Sequence, residues 1–255
     1  MTRYRFKPAT TMLLLALAIS ACTTEQVPVD NDELIDKLVT LGIGYIRNGQ
    51  LSRTMEHLDR AHEIAPSSAQ VHNTLGLAFQ VEQDAVTAEQ YFEKALRYSN
   101  GDTRIRNNYA AFLFGEERYR EAIEKLQFAA ENQFYEGRAI VFENLGVSHL
   151  KIGELTIAEE SFLKRLALKS ALVRSLLELA EIRTDQQNCV VARDLYQRYH
   201  TVGEHSAQSL WICVRPARVF EEEDEEARCG LMFCNVFPAA LASQEYADSL
   251  SSSGY

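Results

Sequence analysis

The amino-acid sequence predicts an all-α superhelical solenoid of about six helix–turn–helix repeats, and three observations lead there. Glycine (12) and proline (5) are scarce among the 255 residues, well below their combined share of roughly 12% in globular chains, which disfavours a fold built from tight turns. A composition of 46% hydrophobic and 24% charged residues belongs to a packed chain rather than a disordered or fibrous one. The third observation is self-similarity at a fixed period. Leu41-Gly42-x-x-Tyr45 returns 34 residues later as Leu75-Gly76-x-x-Phe79. Leu58, Ala61 and Pro66 are matched at the same offset by Phe92, Ala95 and Asn100.

That period and those positions form the tetratricopeptide pattern, with Leu-Gly-x-x-Tyr on a first helix, Ala-x-x-x-Phe on a second, and a closing turn. Within a domain of residues 34–240, the register divides the chain at 35–68, 69–102, 103–138, 139–172, 173–206 and 207–240. Tyr109-Ala110-x-x-Leu113 with Ala122 and Leu126 marks the third repeat. The fourth, Leu145-Gly146 with Ala158 and Phe162, starts two residues late, and the turn around Asn132–Arg138 is expected to hold the extra length. Leu179-Ala180, Ala192 and Tyr196 mark the fifth. In the sixth, Cys213 and Val214 replace the Leu-Gly pair, and Pro216 falls where it should kink the first helix. Terminal repeats of a stack diverge because they cap it, so this one reads as a cap and residues 241–255 as a tail. The small residue at the eighth position is expected to face the small one at the twentieth, for example Gly76 against Ala88.

The first 21 residues read as an address. Arg3, Arg5 and Lys7 precede a short apolar run, Met12–Ile19, too brief for the roughly 20 residues that a membrane-spanning helix needs. Ile19-Ser20-Ala21-Cys22 follows and resembles the bacterial lipobox, in which the Cys thiol is alkylated with diacylglycerol and its new amine acylated. Cys22 is therefore the expected lipid attachment site, with residues 22–33 as a tether. Thr23 stands where an inner-membrane retention signal would place Asp, so the outer membrane is the expected destination.

The formal charge of −10 falls further once the leader's three bases are removed. Such a body lacks the basic face that a nucleic-acid binder needs, and no nucleic-acid partner is expected. The sequence contains no Walker A run, Gly-x-Ser-x-Gly elbow, His-Glu-x-x-His or paired Cys-x-x-Cys. His57 and His62, like His200 and His205, are five apart, a spacing that turns them off a common helix face. No catalytic residue, metal site, cofactor or small-molecule substrate is expected, and the chain reads as a non-enzyme. The run 221–226 is wholly acidic and reads as a solvated helix start. Cys213 and Cys229 lie close to facing one another in the register and are a candidate disulfide. Buried thiols are the other reading for these two and for Cys189 and Cys234.

The second, fifth, ninth and twelfth positions of each first helix should line an inner groove. They include Val39, Ile43 and Ile46, then Leu77, then Ala111 and Phe114, then Val147 and Leu150. Apolar groups in a row on an exposed face indicate a partner, either an amphipathic helix or an extended peptide. The competing reading buries some of them against neighbouring helices.

The lipobox, the tether and the six repeats occur together with Leu41-Gly-Ile-Gly-Tyr-Ile46, Asn107-Asn-Tyr-Ala-Ala-Phe-Leu113, Val141-Phe-Glu-Asn-Leu-Gly146 and Ala217-Arg-Val-Phe220. This combination resembles the PilF/PilW family, the tetratricopeptide lipoproteins of type IV pilus biogenesis, from Leu38 to about Phe237. The resemblance implies a lipid-anchored pilotin on the periplasmic face of the outer membrane. Such a protein binds secretin subunits and supports their localisation and multimer assembly. Pro216 and Arg228–Cys234 depart from the family's pattern. The rival class is a general envelope scaffold that docks peptidoglycan enzymes or other assembly factors.

Overall fold

Each repeat predicted from the register is a pair of antiparallel helices in the computed structural model, which describes residues 31–168 and 173–252. The pairs are α1 (Asn31–Arg47) with α2 (Leu51–Ile64), α3 (Ala69–Val81) with α4 (Ala85–Tyr98), and α5 (Thr103–Gly115) with α6 (Tyr119–Glu131). They continue as α7 (Arg138–Lys151) with α8 (Leu155–Leu168), α9 (Val173–Asp185) with α10 (Cys189–His200), and α11 (Ala207–Val219) with α12 (Glu223–Val236). A last helix, α13 (Leu241–Ser252), follows, and no strand occurs among the described residues. The leader, Cys22 and most of the tether lie outside the described residues.

Several helix starts are written into the sequence as caps. The Asp102 carboxylate accepts from the backbone N–H groups of Arg104 (2.7 Å) and Ile105 (3.2 Å). Asp84 accepts from Thr87 (3.1 Å), which also holds the Asp84 carboxyl below the usual carboxylate range. Ser206 and Ser209 form a reciprocal capping box on α11. The acidic run supplies the whole first turn of α12, where negative charge complements the helix dipole.

The turn inside each repeat is more uniform than the sequence suggests. Gly49, Gln83, Glu117, Gly153, Gln187 and Glu221 all adopt left-handed φ, between 57° and 76°. In each case the next residue's N–H reaches back five residues, as in Gln50 to Tyr45 O (2.9 Å), Arg118 to Leu113 O (2.9 Å) and Glu222 to Ala217 O (3.0 Å). This is the Schellman closure of a helix. Only two of the six positions carry the glycine that such a φ favours. The interval between these residues lengthens only from Glu117 to Gly153, across the turn between α6 and α7 where the extra length was expected.

Large side chains of the second helices fill the space over the small residues of the first. A Cβ on Gly42 would meet Leu58 at 3.0 Å, on Gly76 the Phe92 ring at 3.0 Å, and on Gly146 the Phe162 ring at 2.6 Å. The nearest neighbour of Gly76 is therefore Phe92, one helical turn beyond the expected Ala88. The twentieth position still touches the first helix, because the Thr54 hydroxyl donates to Gly42 O (3.4 Å). Leu58, Phe92 and Phe162 are fully buried in three successive core clusters that run through the stack, as a solenoid requires.

At the two ends the structure departs from expectation. Helix α1 begins at Asn31, inside the expected tether, with Asp32 and Glu33 in its first turn and a Lys37–Glu33 ion pair of 2.5 Å. Helix α11 runs through the buried Pro216 to Val219. Only the last turn follows the proline, whose carbonyl still accepts from Phe220 N–H (3.0 Å). The expected tail is helical as α13 up to Ser252, and the sixth repeat explains why. Its first helix has Val214 where the others have Gly or Ala, and its second has Gly230 where the others have a large residue. Tyr246 of α13, 3% exposed, occupies that vacated space, within 2.2 Å of where a Gly230 Cβ would stand. Cys213 and Cys229 are joined as a disulfide between α11 and α12, while Cys189 and Cys234 are free.

Candidate functional site

The first helices of successive repeats sit side by side and present the inner face. Two of the eight expected groove residues are buried. Val39 is fully buried with Leu38 and Leu75 in the first core cluster and does not line a groove. The fifth position of α1 turns into the contact with the second repeat, so helix packing claims it. Val147 is 5% exposed and forms a floor rather than a rim. Ile43 and Ile46 are half-buried against the first cluster, as Leu77 is against the second and Leu150 against the third along the chain. Ala111 is exposed.

Three of the eight converge. Ala111, Phe114 and Val147 border one concavity of about 80 Å³ between α5, α6, α7 and α9, with Ala110, Leu126, Asn144, Ser148 and Arg174. The Phe114 ring is half-buried and set edge-on to Tyr119 at 5.2 Å. Ser148 donates to the Asn144 carbonyl (2.7 Å), and Arg174 lies 3.7 Å from Glu178. The site thus pairs an apolar floor of one-side-chain size with the Asn144 amide and the Arg174 guanidinium at its rim.

Beside it runs a thread of side-chain amides. Asn108 Nδ2 donates to Asn73 Oδ1 (3.1 Å), and Asn144 Nδ2 donates to Asn107 Oδ1 (3.0 Å). These residues occupy the fifth and sixth positions of α3, α5 and α7, so each pair bridges two repeats. Each amide retains further donor or acceptor capacity. From Glu143 of α7 onward the inner positions become charged. Glu143 accepts from Ser175 (3.1 Å) and pairs with Arg165 (3.3 Å), and burial pushes the Glu178 carboxyl above the usual range. Gln208 donates to Glu181, and Arg215 pairs with Asp185 at 2.7 Å. Residue-by-residue reading missed the asparagines, although their recurrence at the fifth and sixth positions is visible once the register is written out.

Five of the six histidines pack against other rings, and the buried His149 lies 2.7 Å from the Glu154 carboxylate. His57 stacks on Tyr45 (5.4 Å), the buried His72 meets His62 edge-on (5.2 Å) and donates from Nδ1 to Ser68 O (2.8 Å), and His200 lies against His205 (5.1 Å). Among the described residues, Cys213, Glu225 and Cys229 come within 4.8 Å of one another. The bond between the two sulfurs leaves neither as a thiolate ligand.

Stacked helix pairs with a recessed apolar and amide-lined inner face define a tetratricopeptide-repeat interaction protein. No protein-family model matches the chain. The chain is 34% identical over 244 residues to the type IV pilus assembly protein PilF of Pseudomonas aeruginosa, spanning 93% of this chain and 97% of that one. The solved structure of that Pseudomonas aeruginosa protein superposes with a TM-score of 0.83 at 35% identity, covering 86% of this chain and 99% of the other. PilW, described as a widely conserved type IV pilus biogenesis factor, superposes with a TM-score of 0.71 at 20% identity, over 84% and 98% of the two chains. At the level of fold, YrrB, a tetratricopeptide protein with an unusual peptide-binding site, gives a TM-score of 0.62 at 12% identity, over 75% and 97%. The chain belongs to the PilF family of type IV pilus biogenesis proteins.

Proposed function

We propose that this protein is an outer-membrane pilotin. Held at the periplasmic face by lipid on Cys22, it binds subunits of the type IV pilus secretin on its inner face and supports their localisation and assembly into multimers. It works as a binding surface, with no cofactor beyond the covalent lipid and no turnover. The observation that carries this reading is the concavity bordered by Ala111, Phe114 and Val147 beside the asparagine thread. Burying one aliphatic side chain in such a floor contributes about 1.5–3 kcal/mol. The neighbouring amides suit the backbone N–H and C=O groups of an extended segment, which need partners once removed from water. A secretin subunit awaiting assembly carries apolar segments that such a groove would shield.

The test is Ala111→Glu. Ala111 is exposed at the rim, so the change should alter stability by no more than about 0.5 kcal/mol while placing a charge over the apolar floor. Secretin pull-down and the amount of heat- and detergent-resistant multimer should both fall sharply. A variant that melts normally and still supports multimers overturns this groove as the site. Multimers that persist in cells lacking the protein altogether favour the general envelope scaffold instead.

A further inference from the structure

We infer that the solenoid lies with one particular edge against the lipid bilayer, and that Phe134 enters the membrane interface. This rests on the reading of Cys22 as the lipid anchor. Because the two helices of each repeat are antiparallel, every first helix starts, and every second helix ends, on the same edge of the stack. Asn31, the first residue of α1, stands on that edge. It lies nine positions after Cys22, a reach of at most about 30 Å. The anchor therefore joins the fold on the edge made by the loops between repeats.

The loop on that edge between α6 and α7 carries Phe134 at 95% exposure. A single exposed apolar residue is ordinary, but this one is held outward by a braced loop. The Asn132 side chain accepts from Phe134 N–H (3.1 Å) and donates to Thr103 Oγ1 (2.9 Å). The Tyr135 ring packs over Gly137, and the Arg138 guanidinium donates to Ala130 O (2.9 Å). Tyr98, 47% exposed, ends α4 on the same edge. Tyrosine, with one apolar and one wet end, concentrates at membrane interfaces, and phenylalanine supplies the apolar contact of segments that lie in them.

Charge separates the two edges. Around the Phe134 loop, Arg97, Arg104 and Arg138 offset Asp102, Glu131 and Glu136. The opposite edge, at the turns inside repeats, carries Glu82, Asp84, Glu116, Glu117, Glu154 and the run 221–226 against Arg47, Arg118, Arg120, Lys151, Arg183 and Arg218, and stays net acidic. Anionic headgroups repel such an edge within a Debye length. Anchor position, exposed aromatics and charge all turn the same edge to the lipid.

Single-tryptophan chains test this, because Trp211 is the sole tryptophan. Two full-length chains would carry Trp211→Phe with either Phe134→Trp or, on the opposite edge, Val86→Trp, a position 70% exposed. Each is reconstituted into phosphatidylethanolamine–phosphatidylglycerol vesicles with brominated acyl chains. The expected result is flotation of both, with emission of the Phe134→Trp chain quenched and blue-shifted and that of the Val86→Trp chain unchanged. Flotation without quenching of the Phe134→Trp chain, or equal quenching of both, overturns the orientation while leaving the anchor standing. Failure to float overturns both the anchor and the orientation.

Discussion

Replacing Gly146 with alanine should destabilise the stack, although the same exchange elsewhere in a helix stabilises. The Gly146 Cβ would stand 2.6 Å from the Phe162 ring. Phe162 has no exposed surface and packs in the core cluster shared by the fourth and later repeats, so the ring has nowhere to retreat. Overpacking a filled core costs about 1–3 kcal/mol, and so close an approach belongs at the upper end. Removing a glycine from a helix interior returns about 1 kcal/mol. The net expectation is a loss of about 2 kcal/mol, or about 4–8 °C in melting temperature for a domain of this size. Gly42→Ala and Gly76→Ala, whose Cβ atoms would stand at 3.0 Å, should fall near balance. Gly44→Ala, with nothing within 4 Å, should gain about 1 kcal/mol. Thermal and urea melts by circular dichroism give the order directly. A Gly146→Ala protein as stable as the parent, or a Gly44→Ala protein less stable, refutes the account of how the helices approach.

Tyr246→Ala empties the space over Gly230 and should cost about 3 kcal/mol, as large-to-small changes at buried aromatics do; faster amide exchange confined to α12 and α13 would identify the site. Cys213→Ala with Cys229→Ala removes a cross-link spanning 16 residues, worth about 3 kcal/mol, and a reductant should lower the melting temperature of the parent but not of this variant. Burial raises the Glu178 pKa, so the folded chain holds that proton more tightly than the unfolded chain. Stability from this group is therefore present below the unfolded carboxylate range and falls as pH rises through the raised pKa. Glu178→Gln should raise the melting temperature at pH 7 and leave it unchanged near pH 4, and an equal effect at both would refute the assignment.

The stack was legible because its core positions repeat at a period that survives local variation. Leu41-Gly42 and Leu75-Gly76 set the register, and the late Leu145-Gly146 located the long turn at Asn132–Arg138. The left-handed turn residues were illegible for a physical reason. At Gln83, Glu117, Gln187 and Glu221 the backbone is fixed by the Schellman closure and the packed helices on either side, so side-chain identity carries little signal. The docking of α13 was hidden because its cause is an exchange across elements, with Gly230 giving up a volume that a residue sixteen positions later refills. The candidate site was legible as a list of apolar positions, but its polar half was not. Asn73 pairs with Asn108 and Asn107 with Asn144 only after the offset between neighbouring repeats is known.

That offset also decides which groove residues can report on binding separately from folding. Val39, Ile43 and Ile46 share one face of α1, yet Val39 is fully buried and the two isoleucines are half-buried against the first core cluster. Replacing Ile43 and Ile46 with serine would remove part of a core contact as well as groove surface. Large-to-small changes at fully buried positions cost about 2–5 kcal/mol, so even half of that per site would loosen the first repeat. A loss of secretin binding in that variant would say little about the groove. Ala111 differs because it is exposed at the rim, while the half-buried Phe114 and the buried Val147 carry the packing. A charge introduced there meets the partner before it meets the core, so binding can be lost from a solenoid that melts as the parent does.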